Sequence, residues 1–83
     1  MLGQRIAYLR KARGISQFQL ALALNLSPSA VGMYEQGRRT PDLDTLVVLS
    51  RLFETSLDYL VTGTEYTPEM RQTNLSNPKH QSP

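Results

Sequence analysis

Residues 17–36 read QFQLALALNLSPSAVGMYEQ, and the fold is decided in this stretch. Apolar residues recur at helical intervals on both sides of a break at Asn25–Leu26. Leu20, the small Ala21 and Leu24 stand before it; Leu26, Val31 and Tyr34 stand at or after it. Spacings of three and four residues put each set on one helix face. Ser16 is followed three residues later by Gln19, a capping box in which each side chain satisfies a free amide at the helix start. Ser27 precedes Pro28, a cap and then a proline whose missing N–H would have had no partner in the first turn. Asn25 tolerates the left-handed conformation that closes a helix. The stretch therefore holds two short helices, 17–24 and 28–36, joined by a tight turn.

The same punctuation extends in both directions. Gly14, Gly37 and Gly63 each follow a stretch of helical spacing. Asp42 follows Pro41 and precedes Leu43, Leu46, Val47 and Leu49; Ser56 precedes Leu57, Tyr59 and Leu60. The pattern predicts five helices, at roughly 2–13, 17–24, 28–36, 43–54 and 57–62, and no segment alternates long enough for a strand. Helices this short are marginal alone and must be stabilised by packing on one another. The expectation is a compact all-α domain over residues 1–63. Residues 64–83 form a polar tail rich in Thr, Asn, Gln, Ser and Pro, expected to be mostly disordered. Within it, Thr67, Pro68 and Glu69 could start one more helical turn, with Tyr66 and Met70 as anchors.

Composition removes several function classes. There is no Cys, which excludes disulfides, thiolate metal sites and cysteine nucleophiles. The one histidine, His80, lies in the polar tail, so no histidine-based catalytic or metal cluster can form in the folded part. No glycine-rich phosphate loop or nucleophile–base pair is present, and an enzyme is not expected. No metal or cofactor is called for: Asp42 and Asp58 are explained as helix-start residues favoured by the helix dipole, although with Asp44 they could suggest a metal site. No apolar run approaches the roughly 18 residues of a membrane span, and the first residues form no apolar leader, so a cytoplasmic protein is expected. The net charge of +2 is mild but unevenly placed. Residues 1–39 carry Arg5, Arg10, Lys11, Arg13, Arg38 and Arg39 against Glu35 alone, while residues 40–63 carry Arg51 against four acids. That asymmetry fits either a face meant for a polyanion or a solvated surface. Of these residues, Arg5, Lys11 and Arg13 are expected to be solvated or peripheral.

A steep crossing of 17–24 by 28–36 needs a small residue where the backbones approach, which Ala21 supplies. That is the specification of a helix-turn-helix. A nine-residue second helix is ~13 Å long, which suits a major groove about 12 Å wide.

The chain resembles the lambda-repressor-like, Cro/C1-type (xenobiotic-response-element) helix-turn-helix family. The resemblance covers about residues 2–63 and rests on linked features: Arg10–Gln17, the helix pair, Tyr34–Gly37, the Pro41–Leu46 stretch and the closing Ser56–Gly63. It implies five helices, the third of which reads the major groove of double-stranded DNA, in a transcriptional regulator that is often a dimeric repressor. It also implies roles for individual residues. Gln17 matches a position that contacts a DNA phosphate. Pro28, Ser29, Gly32 and Met33 match the base-reading face, with Ser27 beside them at its phosphate edge. Arg38 and Arg39 match the loop that follows the DNA backbone. Arg10 and Glu35 match a pair that joins helix one to helix three as a structural ion pair.

Two departures from the family pattern stand out. The turn residue, usually glycine, is Asn25. The reading face holds no Arg, Lys, Gln or Asn, the side chains that pair best with guanine and adenine. Direct readout should then be modest, with Ser29 making one hydrogen bond and Met33 touching a thymine methyl. Dimer spacing, DNA shape and edge contacts from Gln36, Arg38 or Arg39 would supply the rest. A homodimer on an inverted-repeat operator is expected, with the Leu57–Val61 helix and the start of the tail as interface. Two further functions fit the same scaffold: the antitoxin of a toxin–antitoxin pair, with the tail folding onto a protein partner, and a protein-interaction module without a DNA role.

Overall fold

The computed structural model describes residues 1–65, which form five helices: α1 (Leu2–Ala12), α2 (Gln17–Leu24), α3 (Pro28–Glu35), α4 (Leu43–Leu52) and α5 (Leu57–Thr62). The described residues contain no strand. The expected helical turn at residues 67–69, with its anchors Tyr66 and Met70, lies outside them.

Local sequence rules account for the helix starts. The Ser16 hydroxyl accepts from the Gln19 amide at 3.0 Å while the Gln19 side chain accepts from the Ser16 amide at 2.8 Å, completing the capping box. Ser27 accepts from Ala30 N–H, Asp42 from Thr45 N–H and Ser56 from Tyr59 N–H. Asp42, Asp44 and Asp58 thus sit at or within the first turn of α4 and α5. No group of residues able to hold a metal ion occurs among the described residues.

The helix ends are equally regular. α1, α2, α3 and α4 all close with the same pair of backbone bonds, in which the residue after the left-handed one reaches back five positions. The four long bonds are Ile15 N–H to Arg10 O, Leu26 to Ala21, Arg38 to Met33 and Thr55 to Ser50. Three of these closures place Gly14, Asn25 or Gly37 in the left-handed region. The fourth uses Glu54, at φ 52°. Helical spacing predicts this helix through residue 54; it ends at Leu52, where Phe53 turns inward, 2% exposed.

The core is one cluster of Ile6, Leu20, Ala21, Val31, Tyr34, Leu49, Phe53 and Leu60, with Leu24 and Leu26 half-buried against it. α2 packs on α3, and α1 runs between α3 on one side and α5 on the other. Two arginines expected to be peripheral prove structural. Arg5 donates to Leu60 O at 3.1 Å and lies over the Tyr59 ring, while Arg13 donates to Phe53 O at 2.6 Å. Each satisfies a carbonyl left open at the C-terminal end of a helix, where the helix dipole also favours a cation. α1 therefore clamps the ends of α4 and α5.

Gly3 is a second feature that periodicity does not announce. It is buried, and a Cβ there would collide with Tyr34 O and lie 2.7 Å from Glu35 O. α1 thus begins in direct backbone contact with the last turn of α3. Backbone oxygens cannot step aside as a side chain can, so Gly3→Ala should destabilise the fold by about 1–3 kcal/mol. A drop in the urea midpoint at unchanged slope would register this, and an unchanged midpoint would contradict the close approach.

Candidate nucleic-acid interface

The face of α3 turned away from the core carries Pro28, Ser29 and Met33, all exposed, with Gly32 half-exposed between them. Ala30, Val31 and Tyr34 from the same helix are buried. The split follows from the 3.6-residue repeat: three residues of this short helix anchor it, and the intervening ones are left to solvent. Gln17, at the first position of α2, and Gln36, just past α3, border the same face and enclose a shallow depression over Gly32. Arg38 and Arg39 are exposed in the loop that follows. The Ser27 hydroxyl accepts from the Ala30 amide and keeps its proton to donate outward.

A charge network behind this face fixes its position. Arg10 Nε donates to Glu35 Oε2 at 2.6 Å and Nη2 to Oε1 at 3.1 Å, a bidentate pair with both side chains at least nine-tenths buried. The third nitrogen of Arg10 donates to Ile15 O at 2.9 Å. Glu35 Oε1 also accepts from Gln17 Nε2 at 3.0 Å. α1, the start of α2 and the end of α3 thus meet at one carboxylate, and Arg10 ties the α1–α2 turn to it. The expected Arg10–Glu35 pair is present in this geometry, and the Gln17 link is an addition to it. Gln17, expected as a phosphate contact, has one amide proton committed to Glu35 and one left for an outside acceptor. Burial tends to raise the Glu35 pKa. The hydrogen bonds from Arg10 and Gln17 and the nearby positive charge outweigh it, and the carboxyl is held below its ordinary value. Arg10 is raised, chiefly by its hydrogen bond to Glu35.

The accounting for charge also changes. Arg5, Arg10 and Arg13 are engaged with carbonyls or Glu35. Of the basic residues in 1–39, the side chains of Lys11, Arg38 and Arg39 make no hydrogen bond or ion pair among the described residues, and the two arginines adjoin the α3 face.

These observations meet the known proteins at a single point. The Helix-turn-helix family matches residues 6–60, from the first core residue of α1 to the core leucine of α5. The chain belongs to the Cro/C1-type helix-turn-helix family. It is 38% identical over 76 residues to the uncharacterized HTH-type transcriptional regulator YobD of Bacillus subtilis, spanning 90% of this chain and 68% of that protein. It is 37% identical to the HTH-type transcriptional regulator ImmR of the same organism, over 92% of this chain and 59% of that protein. Its fold matches the crystal structure of the phage P22 c2 repressor in complex with a synthetic operator, with a TM-score of 0.73 and 31% identity. That match covers 77% of this chain and 97% of the repressor chain. The lambda-repressor-like fold expected from the motifs is the fold observed.

The network gives this family member a definite acid response. The carboxyl of Glu35 titrates lower in the folded chain than in the unfolded one, where it lies near 4.5. The pair's stabilisation is therefore complete above that value and fades as the pH falls through the depressed folded value. Glu35→Gln leaves the buried Arg10 charge uncompensated, at a cost of about 3 kcal/mol at pH 7. Urea unfolding at pH 7 and pH 3 should show the gap between variant and parent narrowing in acid. A gap independent of pH would contradict the role assigned to the carboxylate.

Proposed function

We propose that the protein is a sequence-specific DNA-binding transcriptional regulator that acts as a homodimer, with α3 in the major groove of an inverted-repeat operator, and represses by competing with polymerase for promoter DNA. The observation that carries this reading is the α3 face. Its unpaired exposed side chains project one way, it is braced from behind by a buried charge network, and unpaired arginines flank it. A face built only to be solvated needs no such brace. In this reading Pro28, Ser29, Gly32 and Met33 lie against base edges, while Gln17, Ser27, Arg38 and Arg39 lie along the phosphates. The second proton of the Gln17 amide and the free amides at the start of α2 favour an anion there.

Dimerisation follows from the small size of one such contact. Pairing doubles it over half-sites roughly 34 Å apart. α5 is the candidate interface: Val61 is 43% exposed and Leu57 and Tyr59 are half-buried at its surface.

The test is selection of genomic fragments by the purified chain at about 150 mM salt, followed by affinity measurements on the recovered sites. A shared inverted repeat is expected. If each subunit neutralises three to four phosphates, affinity should fall a thousandfold or more between about 50 and 200 mM salt. Arg38→Ala with Arg39→Ala should flatten that dependence, with the preference at the bases opposite Ser29 and Met33 retained. Recovery of nothing above background, or binding insensitive to salt, would overturn the proposal and turn attention to a protein partner.

A further inference from the structure

The chain reverses direction after α5. Gly63 takes φ 81°, and the Thr64 amide donates to Thr62 Oγ1 at 3.1 Å. The Glu65 carboxylate then accepts from the Ser56 hydroxyl at 3.0 Å, nine positions back, at the cap where α5 begins. α1 gives the direction of this return. Arg5 reaches Leu60 O near the end of α5. Arg13, about 12 Å further along the helix axis, reaches Phe53 O, shortly before α5 begins. The residues that follow Glu65 are therefore led toward the Arg13 end of α1.

At that end lies an open apolar groove. Leu9, Ala12 and Ile15 line it from α1 and the turn after it, Leu52 and Phe53 from the end of α4, and Arg13 stands among them. Leu9, Ile15 and Leu52 pack on the core yet are only half-buried, so no described residue covers their outer side. Arg13 meets Glu54 at 3.6 Å, longer than a hydrogen bond, and its side chain stays 40% exposed. Apolar surface left open beside a cation gains from a cover that is apolar and carries a carboxylate.

The sequence supplies such a cover within reach. Phe53 stands three residues before Ser56, so the groove begins within ~11 Å of the point where Glu65 is held. Five further residues span up to ~17 Å. Those five are Tyr66, Thr67, Pro68, Glu69 and Met70. They bring two large side chains with apolar bodies and one carboxylate between them. Residues 71–83 hold a single large aliphatic side chain, Leu75.

We propose that residues 66–70 of the same chain fill this groove, with Tyr66 and Met70 against Leu9, Ile15, Leu52 and Phe53, and Glu69 beside Arg13. The start of the tail then closes the junction of α1 with α4 rather than lying in a dimer interface, where the sequence placed it. This contact is independent of DNA binding.

The chain has no cysteine, so Gln72→Cys gives the full chain one attachment point for a nitroxide spin label. Amide resonances of the isotope-enriched protein are compared with the label oxidised and reduced. Broadening should concentrate at Ala12, Ile15 and Leu52 and spare Ser29 and Met33 on α3. Tyr66→Ser with Met70→Ser should abolish it. So should Ala12→Glu, which sets a carboxylate opposite Glu69 at an exposed position. In urea the double serine variant should unfold with an equilibrium constant about tenfold larger, the factor carried by burial of roughly one large apolar side chain. When spin-labelled chain is mixed with isotope-enriched chain that bears no label, the broadening should vanish. Broadening that survives in the mixture would overturn the proposal and assign the groove to the tail of a second copy. Broadening that is absent, spread evenly over the surface or unchanged in either variant would overturn it as well, as would an unchanged unfolding constant.

Discussion

The rest of the structure depends on the guanidinium of Arg10. It is buried among α1, the α1–α2 turn and the end of α3, and all three of its nitrogens are used: two on Glu35 and one on Ile15 O. An ion buried in this way is costly to desolvate and contributes little net stability against a well-packed apolar alternative. What it supplies is definition. A planar fork meeting a carboxylate in two places permits one relative orientation, and Gln17 on the same carboxylate extends that orientation to α2. The two helices that border the α3 face are thus joined by a buried charge as well as by their packing through Leu20, Ala21, Val31 and Tyr34.

α1 is the strut through which this constraint spreads. Its two arginines and the Arg13 that caps its end face three different partners: Arg5 the end of α5, Arg10 the end of α3 and Arg13 the end of α4. In each case a cation meets the C-terminal end of a helix, where open carbonyls and the dipole are negative. Gly3 sets how closely α1 and α3 lie. A domain with few aromatic residues, no tryptophan and no disulfide cannot rely on core volume alone. Fixing helix ends to one another adds order that side-chain burial in so small a core does not provide.

The exposed face of α3 is legible only against that frame. Pro28, Ser29, Gly32 and Met33 form an unremarkable set of small and apolar side chains. Their common direction follows from helical periodicity, and their accessibility follows from what Ala30, Val31 and Tyr34 bury on the other side. A depression lies over Gly32, which has no side chain, and Gln17 at its edge is bonded to Glu35. Gln17 borders this face and also belongs to the buried charge network.

The sequence by itself determined the local structure and the family. Ser16 with Gln19, Ser27 with Pro28, Asp42 and Ser56 mark helix starts because a side-chain oxygen must satisfy a free amide within three residues, and that requirement is written in adjacent positions. Gly14, Asn25 and Gly37 mark ends for the same kind of local reason, and the spacing of Leu20, Val31 and Tyr34 assigns the buried face. Only the tertiary structure decided the rest. Glu54 takes a left-handed conformation without a glycine signal because Phe53 is drawn into the core. Arg5 and Arg13 look like surface charge until the ends of α5 and α4 arrive beside them. Gly3 is forced by a helix more than thirty residues away, and Gln17 is committed to Glu35 by the crossing of α2 and α3. Local hydrogen bonds are encoded within a few residues of one another. Contacts between helix ends depend on how the helices cross, which no stretch of the sequence states alone.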